Sequence, residues 1–301
     1  MPFFCNEDLS LHYVERGQGE PLVLIHGLGC CGAAWAFQVA ALEKRFRVIV
    51  PDLPGSGHSP PPRGRGEYSI AGCASALWSL LDHLQVSQAN IIGFSLGGAV
   101  ALEMAAQRPG SVPRLGLINS LATYRPDDWR KWLETHVSAT LVRLLGMRRA
   151  AWLLAVRLFP EPWQRSIRAH AAAVVGAVPA STYLGLGLAL AHWAIIDRLD
   201  RLKSRILLIA AEHDFTPLAE KRELAAKLKA DIVVVRGSRH GTPFDSVEAT
   251  NASLLALLTD QPLPPQTRWI RDTPTRARAL WLTGSIAEDH SLSPDRFHAR
   301  G

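Results

Sequence analysis

Six short apolar runs recur along the chain: PLVLI (21–25), RVIVPD (47–52), NIIGF (90–94), LGLIN (115–119), RILLIAA (205–211) and DIVVVRG (231–237). Each is nearly continuous in Val, Ile and Leu, and helical patterns lie between them. Such strands are buried on both faces, so the alternation predicts a parallel sheet covered by helices on either side. The residues before Gly17, FFCNEDLSLHYVER, read instead as an antiparallel hairpin that turns near Asn6 to Asp8.

The strand rhythm stops between Asn119 and Arg205. Five of the nine tryptophans fall there (Trp129, Trp132, Trp152, Trp163 and Trp193), among Ala- and Leu-rich stretches punctuated by Pro160, Pro162 and Pro179. This predicts a helical insertion over 121–200 lying on a core built from 1–120 and 201–260. Its aromatic excess serves packing of a small subdomain, the apolar wall of a pocket, or both. Within it, Ala169 to Ile196 carries no Asp, Glu, Lys or Arg. Pro179, Ser181 and Thr182 interrupt that stretch, so it predicts two buried helices with a turn and no membrane span. The segment 261–301, with five prolines and six arginines, predicts a disordered or loosely docked tail.

Bulk properties narrow the function classes. A chain of 301 residues, 48% hydrophobic and 20% charged, has the make-up of a globular protein. Its net charge of +6 favours anionic substrates or an acidic partner. No basic stripe interleaved with aromatics and no zinc-type Cys/His spacing occurs, which argues against nucleic acid. Cys5, Cys30, Cys31 and Cys73 are too few and irregular for a disulfide framework, and read as reduced thiols in a cytoplasmic protein. The N-terminal MPFFCNEDLS lacks the regions of a secretory signal.

Two stretches carry chemistry. GLGCCG (27–32) fits G-x-G-x-x-G, with Asp52 twenty residues beyond Gly32, so it reads as a nicotinamide-dinucleotide cradle. With His26 included, the same letters suit a loop that gives one backbone donor to an oxyanion hole. The second stretch decides. In NIIGFSLGGAVALEMAAQRPG (90–110), a strand, a tight Gly93-Phe94-Ser95-Leu96-Gly97 turn and a helix follow one another. G-x-S-x-G in that setting is a nucleophile elbow, which lifts Ser95 to the carboxyl edge of the sheet with the Leu96 amide beside it. A serine needs a base and an acid that orients the base. Asp214 follows the strand 205–211 and His240 follows the strand 231–237, so both reach the same edge in the order Ser, Asp, His. Among the other histidines, His26 belongs to the glycine-rich loop, His58 to a turn, and His213 adjoins the acid. His240 alone precedes a final helix, for which Asp245 and Glu248 are placed as a capping box.

HGLG (26–29), PDLPGSGHS (51–59), GFSLGG (93–98), AAEHDFTP (210–217) and the late His240 resemble the α/β-hydrolase superfamily in content and order, from about Leu11 to Leu258. The resemblance implies that the amides of Leu28 and Leu96 form the oxyanion hole. Some relatives place the acid after the strand that here ends at Asn119, which brings Asp127 and Asp128 into consideration; Asp214 is preferred because they lie farther from their strand. Arg239-His240-Gly241 and Val247-Glu248-Ala249 depart from the superfamily's usual Gly-His and Glu-x-Pro.

The overall pattern is similar to carboxylesterases of the pimeloyl-carrier methyl esterase type and to enol-lactonases. It implies a cytoplasmic serine hydrolase acting on a small or medium ester, lactone or thioester without metal or organic cofactor. C–C bond hydrolysis and peracid formation remain open on the same fold. Arg125, Arg130, Lys131, Arg143, Arg148 and Arg149 are candidates to receive a substrate carboxylate or an acidic carrier protein, or form a solvated helix face.

Overall fold

The computed structural model describes residues 2–5, 9–62, 68–126 and 129–264, without the side chains of 130–135. The turn at 6–8, Asp127, Asp128 and the tail from 265 onward lie outside the described residues. The opening hairpin is β1 (Phe3–Cys5) and β2 (Ser10–Arg16). β3 (Glu20–Ile25), α1 (Ala36–Leu42), β4 (Phe46–Pro51), α2 (Ile70–His83), β5 (Asn90–Phe94), α3 (Leu96–Gln107) and β6 (Arg114–Ile118) follow. Three helices come next: α4 (Trp129–Leu158), α5 (Arg165–Ala177) and α6 (Ala180–His192). β7 (Arg205–Ala211), α7 (Leu218–Leu228), β8 (Asp231–Val235), the single turn α8 (Thr242–Asp245) and α9 (Val247–Leu258) close the fold.

All eight strands form one sheet in the order β1-β2-β4-β3-β5-β6-β7-β8. β1 pairs with β2 and β2 with β4 antiparallel, and every other pairing is parallel. Period-two alternation divides each central strand between two cores. Val23 and Ile25 of β3 pack with α2 and α3 on one face, while Leu22 and Leu24 pack with α1 and α9 on the other. Because the six strands from β3 to β8 run parallel, the loops that leave β3, β5, β7 and β8 all emerge at one edge. Ligands in such sheets bind there, beyond the carboxyl ends of the strands.

The chain leaves this edge after β6 and returns before β7, and its two legs pair with each other. Ile195 N–H donates to Ala122 O at 2.9 Å, and Thr123 bridges Ala194. Glu103, buried in α3, fastens the returning leg: it accepts from Trp193 Nε1 at 3.0 Å and from the Arg198 guanidinium at 2.8 and 2.9 Å. α4 is bent at Gly146, whose φ of 74° and ψ of 164° are outside the helical range. No single helix among the described residues is long and apolar enough to cross a membrane, and the segment through α5 meets α6 at 96°. The two helices are partly rather than wholly buried, since α5 sinks only Ile167 and α6 only Thr182, Tyr183, Leu186 and Ala191.

The capping box expected from Asp245 and Glu248 does not form. Ser246 takes the N-cap position of α9, and Asp245 lies one residue earlier, in α8. Its carboxylate accepts instead from the Ser238 hydroxyl at 2.8 Å and the Ser246 hydroxyl at 2.9 Å. A sequence offset of three cannot reveal that a serine in the preceding loop competes for the same oxygen.

Candidate active site

Ser95 stands between β5 and α3 with φ 54° and ψ −118°, a left-handed conformation that costs a residue with a Cβ about 1–3 kcal/mol. The turn is tight because backbone approaches backbone. A Cβ on Gly93 would meet Gly97 O at 2.2 Å, and one on Gly97 would meet Ile25 O at 2.2 Å. Hydrogen bonds from Ser95 N–H to Ile118 O and from Ser120 Oγ to Ser95 O, both 2.9 Å, hold the strained residue in place.

His240 arrives from the loop after β8 with Nε2 2.9 Å from Ser95 Oγ. Its Nδ1 lies 2.8 Å from Asp214 Oδ1, on the loop after β7. With the imidazole proton on Nδ1, Nε2 is the acceptor that faces the serine hydroxyl. The Phe215 ring lies 4.2 Å from the imidazole between centroids, and the Phe94 ring lies 5.2 Å away. These rings restrict the swing of a side chain that is itself 8% exposed.

Asp214 is more elaborately held than the sequence suggests. Its second oxygen accepts from Thr216 Oγ1 at 2.7 Å and from the ammonium of Lys221, on α7. Lys221 is 1% exposed, so the acid, the imidazole and a buried cation form one charged cluster. Burial pushes the Asp214 carboxyl upward, but the His240 and Lys221 charges and hydrogen bonds outweigh it and hold the group well below the usual carboxylate range. Burial lowers the Lys221 ammonium, and Asp214 opposes that shift. Asn119 braces the cluster at the end of β6. Its amide donates to His240 O at 2.8 Å and Thr242 Oγ1 at 2.7 Å, and its carbonyl accepts from Ala211 N–H at 2.7 Å. Spacing along the chain gave no signal for Lys221 or Asn119, because both act through contacts that exist only once the strands are side by side.

The loop HGLGCCG leads from β3 toward Ser95, and Leu28 lines the same cavity. Two amides of the loop are engaged internally rather than offered to a phosphate: Cys30 N–H donates to Gly27 O at 3.2 Å and Gly32 N–H to Asp52 Oδ1 at 2.6 Å. Asp52 accepts from His58 N–H at 2.9 Å and touches His12 Nδ1 at 2.8 Å, so it is a knot tying β2, β4 and this loop. His26 bridges Leu53 N–H, at 3.0 Å, to Gly27 O, at 2.9 Å. Burial pushes the Cys30 thiol up to about 12 and the Cys31 thiol to about 11, which favours the protonated forms.

The cavity above Ser95 and His240 measures about 80 Å³ and is walled by Leu28, Phe94, Phe159, Val174 and Val175, with His170 at its side. Among the described residues, no tryptophan of the insertion walls it, and the Trp132 side chain lies outside them. Trp193 is turned to Glu103, while Trp129, Trp152 and Trp163 are exposed. Composition placed the aromatics in the right segment but could not say which helix face they occupy. Arg143, Arg148 and Arg149 are exposed and do not line the cavity, and Arg125 Nε donates to His192 O at 3.1 Å. The side chains of Arg130 and Lys131 lie outside the described residues.

A family model described as the alpha/beta hydrolase fold matches residues 20–246. The chain belongs to the alpha/beta hydrolase family. Like the relatives that place it there, it is a hydrolytic enzyme. RutD of Stutzerimonas stutzeri, provisionally named a carbamate hydrolase, is 31% identical over 264 residues, covering 83% of this hydrolase and 97% of the relative. The enol-lactonase of Burkholderia xenovorans LB400 superposes with a TM-score of 0.78 at 27% identity, covering 86% of this chain and all of that one. A shorter likeness, 44% identity over 102 residues, links 34% of this chain to 35% of the magnesium-chelatase 30 kDa subunit of Rhodobacter capsulatus.

Proposed function

We propose that this hydrolase cleaves a carboxylic ester, lactone or thioester through an acyl-enzyme on Ser95. The observation that carries the reading is the unbroken line from Ser95 Oγ to His240 Nε2, 2.9 Å, and from His240 Nδ1 to Asp214 Oδ1, 2.8 Å. As Ser95 attacks the acyl carbonyl, His240 takes the hydroxyl proton and then passes it to the leaving oxygen or sulfur. Asp214 keeps the imidazole in the accepting tautomer and stabilises its cationic form. The amides of Leu28 and Leu96 receive the oxyanion; Leu96 is the first residue of α3, where a first-turn amide has no partner within the helix. Water activated by the same imidazole then releases the acid. The apolar wall of Leu28, Phe94, Phe159, Val174 and Val175 suits an apolar acyl group.

Ser95→Ala is expected to lower kcat by about 10⁴-fold or more, and His240→Ala to cost as much, with the double variant no worse, because the residues act as a unit. Turnover within tenfold of the parent in Ser95→Ala would contradict the reading. A second reading, favoured by the near full-length likeness to RutD, is that the acyl carbonyl belongs to a carbamate. The same serine and imidazole serve that chemistry, and kcat/KM on matched esters and carbamates separates the two.

A further inference from the structure

The helices between β6 and β7 carry a surface that the hydrolytic site does not use. On α4, Arg148 and Trp152 stand four residues apart, as do Arg149 and Leu153, so these side chains share one helical face. All four are exposed, Trp152 at 50% and Leu153 at 45%. Before the bend at Gly146, Arg143, Leu144 and Leu145 are exposed too, Leu144 at 76%. The two halves of α4 present these residues outward together, because their inner residues Val142 and Ala150 enter one small core with Val178 and Tyr183. Sinking side chains of this size in an apolar medium is favourable.

The charge around them has one sign. From residue 135 to 196 the chain holds six arginines and one glutamate, which accounts for five of the six net positive charges of the whole. Among the described residues, no carboxylate forms an ion pair with Arg143, Arg148 or Arg149. A second copy docked face to face would set arginine against arginine. An anionic bilayer complements both features: Leu and Trp enter the boundary between headgroups and acyl chains, and guanidinium groups pair with phosphates.

We propose that this outer face of α4 docks on an anionic lipid bilayer, with Leu144, Trp152 and Leu153 inserted and Arg143, Arg148 and Arg149 on lipid phosphates. The attachment is peripheral and independent of the chemistry at Ser95. Co-sedimentation of the full chain with vesicles of phosphatidylcholine, with and without phosphatidylglycerol, tests it. Binding is expected only to the phosphatidylglycerol vesicles and to fall at least tenfold on raising the salt. Arg143→Glu/Arg148→Glu/Arg149→Glu and, separately, Trp152→Ser/Leu153→Ser should each lower the partition coefficient tenfold or more. Turnover of a water-soluble short ester should stay within twofold in both, which reports an intact fold. The arginines after residue 264 are present in every variant, so loss in these two assigns binding to α4. Equal binding to neutral vesicles, no binding, or binding unchanged in both variants would overturn the proposal. So would sedimentation equilibrium showing a dimer that Trp152→Ser/Leu153→Ser dissolves, or capture by an acidic protein without vesicle binding.

Discussion

Lys221 sets the balance of the charged cluster. Its ammonium shares Asp214 with His240, so part of the carboxylate's field is spent on the lysine rather than on stabilising an imidazolium. Replacing it by methionine leaves Asp214 facing His240 with only Thr216 besides; the charge of Glu220, next in sequence, acts on Lys221, and the Asp214 charge helps keep the buried Tyr124 phenol protonated. With the cation gone the carboxylate favours positive charge on the imidazole more strongly, and the acid limb of kcat/KM is expected to move to higher pH. Unfolding should be easier by about 3–5 kcal/mol, since a buried carboxylate loses its cation. A lower melting temperature with an unmoved pH profile would reduce Lys221 to a structural role.

Asp245 gives a second test at this scale, with the opposite sign. Burial pushes its carboxyl up to about 6, against the downward pull of the Ser238 and Ser246 hydroxyls. Between the unfolded value of 3.8 and about 6 the folded chain binds more protons than the unfolded one, so this group's contribution to stability falls as pH rises through that window. The stability difference between parent and Asp245→Asn, read from urea midpoints, should therefore shift against the parent by up to about 3 kcal/mol from pH 4 to pH 7. A difference independent of pH would contradict it. At the residue scale the sequence named Ser95, Asp214 and His240 because each follows a strand that periodicity locates. Lys221 and Asn119 were not legible, since a lysine on an amphipathic helix and an asparagine at a strand end look alike whether or not an acid waits beside them.

Elements show where sequence pattern is strong and where it fails. The elbow was legible because Gly93 and Gly97 are required by backbone contacts, independent of anything that packs later. Gly97→Ala places a methyl 2.2 Å from the Ile25 carbonyl oxygen, which cannot swing away without breaking the β3–β5 ladder. The variant is expected to lose more than about 2 kcal/mol by chemical denaturation and to lose activity with it; near-parental stability would show the turn to be looser than its geometry. The capping box failed for a different reason. It rests on one offset of three residues, and Ser238 and Ser246 compete for the Asp245 carboxylate across a loop.

Across the whole molecule, the parallel sheet and the shared carboxyl edge followed from the alternation of strands and helices, because parallel strands joined by helices all end on the same side. The insertion between β6 and β7 did not follow in the same way. Its helices are only partly buried, so their periodicity does not fix which face meets the sheet; of the tryptophans offered for a pocket wall or for packing, Trp129, Trp152 and Trp163 are exposed and Trp193 turns inward to Glu103. What attaches the returning leg is Glu103, 3% exposed, clamped by Arg198 and Trp193. Glu103→Ala strands that guanidinium and the indole N–H, with an expected loss of about 3 kcal/mol and a melting temperature lower by several degrees. An unchanged melting temperature by calorimetry would mean that the paired legs at Ala122 and Ile195 suffice.

The account stands on Ser95 being an activated nucleophile. Labelling the full chain with a fluorophosphonate, followed by peptide mass mapping, measures this directly. A single adduct on Ser95 that disappears in His240→Ala is the predicted result; an adduct elsewhere, or labelling of Ser95 that persists at the same rate without the imidazole, would contradict it.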